Sequence, residues 1–291
     1  RFGEDAVKKG GLSVYTTIDA FKQEAATKTL RNGIQQQRDY HLKISSRLKS
    51  SSASHKEKLK AEDIEGALIS LNPFTGEILS YAGGFDFTTT NQNDNVYQSR
   101  RQPGSSIKPL VYAAAIESGT ITPSTHFTDK PMTFKNGYSP QNYGNKYYGD
   151  VTARTALIKS LNTIAVLILD KTGYERIFSY VQKALSLSDS EMEKRFGETL
   201  SFGLGAYEIS PLESAVLNSL LVNGGNFIIP YGIRNVKDYH GNLIWDNEKE
   251  VIEKINTERG KTGVIMSPAA GRVTISMLEG INESDSSVYF S

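Results

Sequence analysis

Arg101-Gln102-Pro103-Gly104-Ser105-Ser106-Ile107-Lys108-Pro109-Leu110-Val111-Tyr112 holds most of what the chain says about itself. Pro103-Gly104 breaks the backbone. Ile107, Leu110, Val111, Ala113, Ala114, Ala115 and Ile116 then run on to Gly119, a helix stop. A helix apolar nearly all round lies inside a large core. Its N-terminal end, at Ser105, is the part left to face a cleft. Ser105 and Lys108 stand three residues apart, close to one helical turn, so hydroxyl and amine share a face and can touch. Burial disfavours the ammonium form, and the positive end of a helix disfavours it further while favouring a developing alkoxide. A neutral amine beside a serine is a recognised way to activate a nucleophile.

Spacing by itself says little. A chain this long shows on the order of two Ser-x-x-Lys matches by chance, and the other here is Ser46-Arg47-Leu48-Lys49. That match belongs to a polar stretch from Ile44 to Asp63, which includes Ser50-Ser51-Ser52-Ala53-Ser54-His55-Lys56-Glu57-Lys58. It has no apolar face to hold a site and reads as a solvated insertion. The alternative for Ser105 and Lys108 is a capping serine and a lysine that snorkels to the surface.

Composition narrows the function classes. At 291 residues the chain has room for one large domain or two modest ones. Its 33 Lys and Arg nearly balance its 32 Asp and Glu, so net charge gives no case for nucleic acid or anionic lipid. The absence of cysteine removes disulfides, thiol nucleophiles and cysteine-zinc sites together. His41, His55, His126 and His240 are scattered, and none has metal-ligand spacing or nominates itself as a base. No glycine-rich phosphate loop follows a strand. The pattern implies no cofactor and no metal. There is no signal sequence and no apolar run near the roughly 20 residues needed to span a bilayer. Because the chain starts at Arg1, any membrane anchor is expected to lie outside it, N-terminal to this sequence.

Along the chain, Gly11 to Thr17 alternates like a strand. Asp19 caps a helix from Ala20 to about Gln37, with Phe21, Ala25, Leu30 and Ile34 as its apolar side. Ile64 to Leu71 and Glu77 to Gly83, joined through Asn72-Pro73-Phe74-Thr75-Gly76, read as a hairpin. Thr88 to Ser99 looks disordered, and Thr120 to Asp150 loop-like. Helices are expected over Thr152–Ser160, Thr163–Leu169, Tyr174–Leu185, Ser210–Val222 and Pro268–Leu278, and a hairpin over Ile228–Asp246. Strands, then a helical block, then more strand predict an α+β fold: an antiparallel sheet packed by helices, with an all-helical subdomain. Between two of those helices lies Ser160-Leu161-Asn162. A second hydroxyl and a carboxamide there are suited to relay a proton and hold a substrate amide, although Ser and Asn often simply cap the next helix. Ser70-Leu71-Asn72, before Pro73, reads as turn chemistry.

Together these pieces resemble the penicillin-binding proteins, most closely the class A, bifunctional kind. Arg101 to Tyr112 resembles that family's acylation-serine motif. Phe2 to Ala6 and Gly11 to Asp19 resemble the segment between its glycosyltransferase and transpeptidase domains. Gly66 to Gly84 resembles its first hairpin, Asn142-Tyr143 and Gly149 to Asn162 the approach to its second motif, and Leu200 to Gly225 a later helix with its lead-in. The resemblance implies a serine β-lactamase/penicillin-binding transpeptidase fold, with residues 1–62 as a linker segment and 63–291 as the transpeptidase domain. It further implies a D,D-transpeptidase that cross-links peptidoglycan stem peptides ending in D-Ala-D-Ala, works outside the cytoplasm, and is trapped by β-lactam antibiotics. Ser105 would be the nucleophile, Lys108 the base, and Ser160 and Asn162 the relay and substrate contact.

The family's third element, Lys-Thr/Ser-Gly on an edge strand, has no match in order. Lys171-Thr172-Gly173 comes too early, and Lys261-Thr262-Gly263 precedes the Pro268 helix instead of following it. The tail Val288-Tyr289-Phe290 faintly resembles the strand after the true triplet, which suggests a stretch dropped near Asn282 and C-terminal strands missing. Two other functions compete. A β-lactamase or D,D-carboxypeptidase would pass the acyl group to water, but no deacylating element stands out between Ser160 and Leu200. A non-catalytic scaffold or sensor would have no need of an intact Ser105, Lys108, Ser160 and Asn162.

Overall fold

The structure, a computed structural model, describes residues 2–48, 63–86, 88, 91–135 and 137–282. In chain order its elements are α1 (Glu4–Lys9), β1 (Ser13–Thr16), α2 (Ala20–Leu48), β2 (Leu68–Leu71), β3 (Ile78–Ala82), α3 (Lys108–Glu117), β4 (His126–Asp129), β5 (Gly149–Thr152), α4 (Ala153–Ile158) and α5 (Asn162–Thr172). There follow α6 (Glu175–Ala184), α7 (Asp189–Arg195), α8 (Pro211–Val222), β6 (Ile233–Lys237), β7 (Leu243–Asp246), α9 (Asn247–Thr262) and α10 (Pro268–Leu278). Described residues fall into two compact units, one drawn from Arg1–Arg100, Ser210–Ala215 and Ile229–Glu253, the other from Arg101–Ile209, Val216–Ile228 and Lys254–Ser291. Residues 49–62 of the polar stretch, with Lys49 of the second Ser-x-x-Lys match, lie outside the described residues. So do the tail Val288-Tyr289-Phe290 and the chain trace that would test a dropped stretch beyond Asn282.

In the first unit β6 lies between β1 and β7, both antiparallel to it. The predicted hairpin forms from β2 and β3. Its turn is made by Asn72, whose Oδ1 accepts the Phe74 N–H at 2.9 Å while its carbonyl accepts the Gly76 N–H at 2.9 Å. Asp19 caps α2 as expected, its Oδ1 accepting the Lys22 N–H at 3.0 Å. The buried side of α2 differs from the one the sequence predicts. Ala26 and Ile34 are buried, whereas Phe21 is 81% exposed and Ala25 is exposed. The register is set by Gln23, whose amide both donates to Tyr81 O and accepts the Tyr81 N–H on β3. The helix also outruns its expected end at Gln37. Residues 38–48 contain neither Gly nor Pro to stop it. Nor are the described residues between 88 and 99 loose: Val96 is fully buried, and Asp94 Oδ1 accepts the N–H groups of Val96 and Tyr97. Aspartate and asparagine side chains there replace the backbone pairing that a strand would supply.

The second unit is built around α3. Leu110, Val111, Tyr112 and the run Ala113-Ala114-Ala115 are buried on every side, and the small alanines let α5 and α10 pack closely. Each fully buried large aliphatic side chain contributes about 2 kcal/mol, so Leu110 and Val111 help anchor this helix in the core. The stretch expected to be loop-like contains β4 and β5, which pair antiparallel from His126↔Thr152 to Asp129↔Gly149. The two strands are far apart in sequence and only four residues each, too short to stand out as alternation.

The entry to α3 is held from two sides. Arg101 and Ile209 exchange backbone hydrogen bonds at 3.0 and 3.1 Å. Gly205, at φ 72°, lies so close that a Cβ would come within 2.4 Å of Gly104 O. Phe202, Tyr207, Phe196 and Phe178 stack behind that contact, with Phe202 and Tyr207 centroids 4.4 Å apart. Two glycines with nearly equal φ therefore separate cleanly. Gly119→Ala, where a Cβ meets nothing within 4 Å, costs about 1 kcal/mol from its backbone conformation alone. Gly205→Ala adds a backbone clash and costs about 3 kcal/mol or more, a difference that urea unfolding of the two variants measures.

Candidate active site

Pro103 and Gly104 (φ 56°) turn the chain into a short 3-10 helix, Gly104–Ile107, that runs directly into α3. Three residues per turn eclipse positions 105 and 108, a tighter alignment than the α-helical turn the sequence suggests. Ser105 is exposed, and its hydroxyl makes no hydrogen bond among the described residues. Lys108 is 1% exposed, walled in by the apolar start of α3.

The lysine amine does not touch Ser105. It reaches across to the turn between α4 and α5, where Nζ donates to Ser160 O at 2.6 Å, Ser160 Oγ at 3.0 Å and Asn162 Oδ1 at 2.7 Å. The structure thus brings three of the four candidate residues into direct contact and places the fourth one turn away. Among the described residues no carboxylate offsets the charge, and burial alone pushes the Lys108 amine down to about 7. A neutral amine has two N–H groups and a lone pair. Two of the three contacts are with oxygens that only accept, so the lone pair is left for the Ser160 hydroxyl, which then donates.

Ser160 occupies a costly backbone position. Its φ is 50°, the left-handed region. The Ser160 N–H donates to Leu157 O at 3.0 Å and the Leu161 N–H to Ala156 O at 2.9 Å. These two bonds form a Schellman motif, and Ser160 stands where such a motif normally has glycine. Neither Ser160 nor Asn162 caps the next helix, which corrects the capping alternative. Leu161 precedes α5 and has no capping side chain. The cap comes from Asn142 instead, whose Oδ1 accepts the N–H groups of Asn162 at 2.8 Å and Thr163 at 3.2 Å. Asn162 Nδ2 donates to Gln141 O at 2.8 Å, which turns its oxygen toward Lys108.

Asn142, Asp129 and Thr163 were not legible as site residues. A signal for Asn142 does exist: an uncapped α5 demands an acceptor from elsewhere. Both Lys-Thr-Gly triplets close helices, with Gly173 (φ 77°) at the C-cap of α5 and Gly263 (φ 63°) just past α9. Neither lies on a strand. Among the described residues the His126 side chain forms only an exposed pair with Asp150, at 3.2 Å.

Residues 66–287, most of the chain, match the penicillin-binding protein transpeptidase domain. The chain belongs to that family. This transpeptidase domain is 36% identical over 186 residues to penicillin-binding protein 1A of Pseudomonas aeruginosa, covering 62% of this chain and 22% of that protein. To penicillin-binding protein 1A of Aquifex aeolicus it is 29% identical over 317 residues, covering 87% and 42%. The chain thus spans less than half the length of these curated relatives. Its fold resembles the crystal structure of penicillin-binding protein 1A from Haemophilus influenzae, at TM-score 0.70 and 24% identity over 84% of this chain and 48% of that one. It also resembles PonA1 of Mycobacterium tuberculosis, solved in complex with penicillin V, at TM-score 0.68 and 20% identity over 97% and 67%. The α+β architecture inferred from the sequence is thus the fold of this family's transpeptidase domains.

Two measurements probe this geometry. In a ¹³C/¹⁵N titration of lysine side chains, one resonance should move with a midpoint of about 7, and it should vanish in Lys108→Met. Ser160→Gly and Ser160→Ala both lose the hydroxyl, yet the glycine variant should be more stable by about 1 kcal/mol because it alone relieves the left-handed backbone.

Proposed function

We propose that this domain cross-links peptidoglycan stem peptides by acyl transfer through Ser105, with Lys108 as base and Ser160 and Asn162 as relay and substrate contact. The observation that carries the proposal is the buried amine of Lys108, held at 2.7 Å by Asn162 and 3.0 Å by Ser160, one turn from an exposed serine in a transpeptidase domain.

The chemistry follows from that arrangement. The Ser160 hydroxyl rotates to release the lone pair of Nζ. Ser105 Oγ, free of hydrogen bonds, turns toward it and gives up its proton as the oxygen attacks the carbonyl of the penultimate D-alanine of a stem peptide. The N–H of Ser105, at the open start of its turn, is one donor for the developing oxyanion. Collapse breaks the peptide bond, and the departing D-alanine amine takes its proton from Lys108 through the Ser160 hydroxyl. An amine from a neighbouring stem then attacks the ester, its proton leaves by the same route, and Ser105 is restored. A β-lactam enters as the donor does, but its leaving nitrogen stays tethered, so the ester persists. The substrate places this work outside the cytoplasm. Among the described residues no helix is long and apolar enough to cross a membrane.

Intact-protein mass spectrometry with penicillin tests the proposal. The wild-type chain should gain one adduct that Ser105→Ala lacks. The acylation rate should climb with pH through about 7, since only unprotonated Lys108 accepts the serine proton, and fall about tenfold per pH unit below that. Ser160→Ala should slow acylation by roughly 10²-fold or more. An adduct lost within minutes would show transfer to water, the β-lactamase or carboxypeptidase outcome. A folded wild-type chain that gains no mass would favour a non-catalytic scaffold.

A further inference from the structure

Beneath the Ser160-Leu161-Asn162 turn lies a second polar cluster, closed off from solvent. Asn142 is 5% exposed, Asp129 1% and Thr163 0%. Asn142 uses its whole amide. Its oxygen takes the two N–H groups that open α5, and its Nδ2 donates to Asp129 Oδ1 at 2.9 Å, Asp129 Oδ2 at 3.0 Å and Lys146 O at 3.0 Å. Asp129 also accepts from the Tyr148 N–H at 2.9 Å and from Thr163 Oγ1. Asp129, Asn142 and Thr163 therefore form a closed ring that fixes the first turn of α5 to the end of β4. Donors and the positive end of α5 compensate the buried carboxylate; among the described residues no cation pairs with it.

The ring reaches the site through one backbone atom. Asn142 is pinned, so the carbonyl of Gln141 beside it is pinned, and that carbonyl holds Asn162 Nδ2. Without it the Asn162 amide is free to rotate and present its NH₂ to Lys108, donor against donor. We propose that Asp129 and Asn142 are positioning residues that lock the Asn162 carboxamide, and with it the Ser160 turn, over the amine of Lys108. The proposal rests on the acyl-transfer reading of the site but extends it to residues that touch neither substrate nor nucleophile. The Lys108 amine meets Ser160 and Asn162, with Ser105 one turn away on its own segment, and among the described residues no acid or second base acts on it directly. Its protonation therefore reports on how tightly that lid is closed.

The test is the Lys108 titration midpoint, read by NMR, beside the pH profile of penicillin acylation, in wild type, Asn142→Ala, Thr163→Val and Thr163→Ser. Opening the lid admits water to the amine and restores its affinity for the proton. Asn142→Ala should raise both midpoints by about one unit or more. Acylation at pH 7 should then fall about fivefold to tenfold and recover at higher pH. Thr163→Val, nearly isosteric, should shift them in the same direction by less, while Thr163→Ser keeps the hydroxyl and should leave them in place. If Asn142→Ala does not fold, the valine–serine comparison decides. Midpoints unchanged from wild type, with lower amplitude at every pH, would mean that the cluster only stabilises the fold and would overturn the proposal. The two readings fail separately. A wild-type chain without an adduct refutes acyl transfer, yet the NMR midpoints still judge the positioning role.

Discussion

Removing one lysine amine from water is the constraint around which the second unit is organised. Burial pushes the Lys108 amine from 10.5 down to about 7, a penalty on the order of 5 kcal/mol that the surrounding fold has to offset. It is offset by α3, whose apolar residues fill the centre of the unit, and by three polar contacts that await the amine on the far side of the site. An ion pair would have made the burial easier and the amine useless as a base, because a neighbouring carboxylate holds the proton on. The contacts here are neutral. They satisfy the lysine without keeping it charged.

Backbone geometry does the rest of the placing. Ser105, the proposed nucleophile, sits on a 3-10 turn whose entry is pinned by the Arg101–Ile209 exchange and by a glycine-to-glycine approach too tight for any side chain. Ser160, the proposed relay, sits on a Schellman turn. Neither serine depends on its own side chain to stay where it is, so both hydroxyls are left for chemistry. Local order of this kind suits a site where protons change hands, since the groups that move are not the groups that hold the structure.

Much of this was legible in advance, and the reasons are local. The α3 sequence is apolar all round between a Pro-Gly break and Gly119, so its burial followed from its pattern. The hairpin at Asn72–Gly76 and the helix that starts at Pro211 carry their turn residues in plain order. Ser160 and Asn162 were legible as a pair, but their partner was not. Spacing suggested that Lys108 meets Ser105, whereas tertiary packing sends it to a turn more than fifty residues away. Asp129 was hidden for the same reason, since a strand of four residues with a distant partner leaves no periodic trace, and Asn142 lies in the loop between the two strands. The face of α2 was misread because Gln23, a polar residue, sets its register. Residues 247–262 gave no helix signal because α9 has few apolar positions, though Val251 and Ile255 are buried.

Position 160 shows how narrowly such a site confines its own sequence. Threonine offers the same hydroxyl, but a β-branched residue resists a φ of 50°. Glycine accepts the backbone and brings no oxygen, and asparagine tolerates the angle but puts an amide where the proposed relay calls for a rotating hydroxyl. Conformation and proton chemistry act as independent filters on that one codon. Of the common alternatives, none passes both.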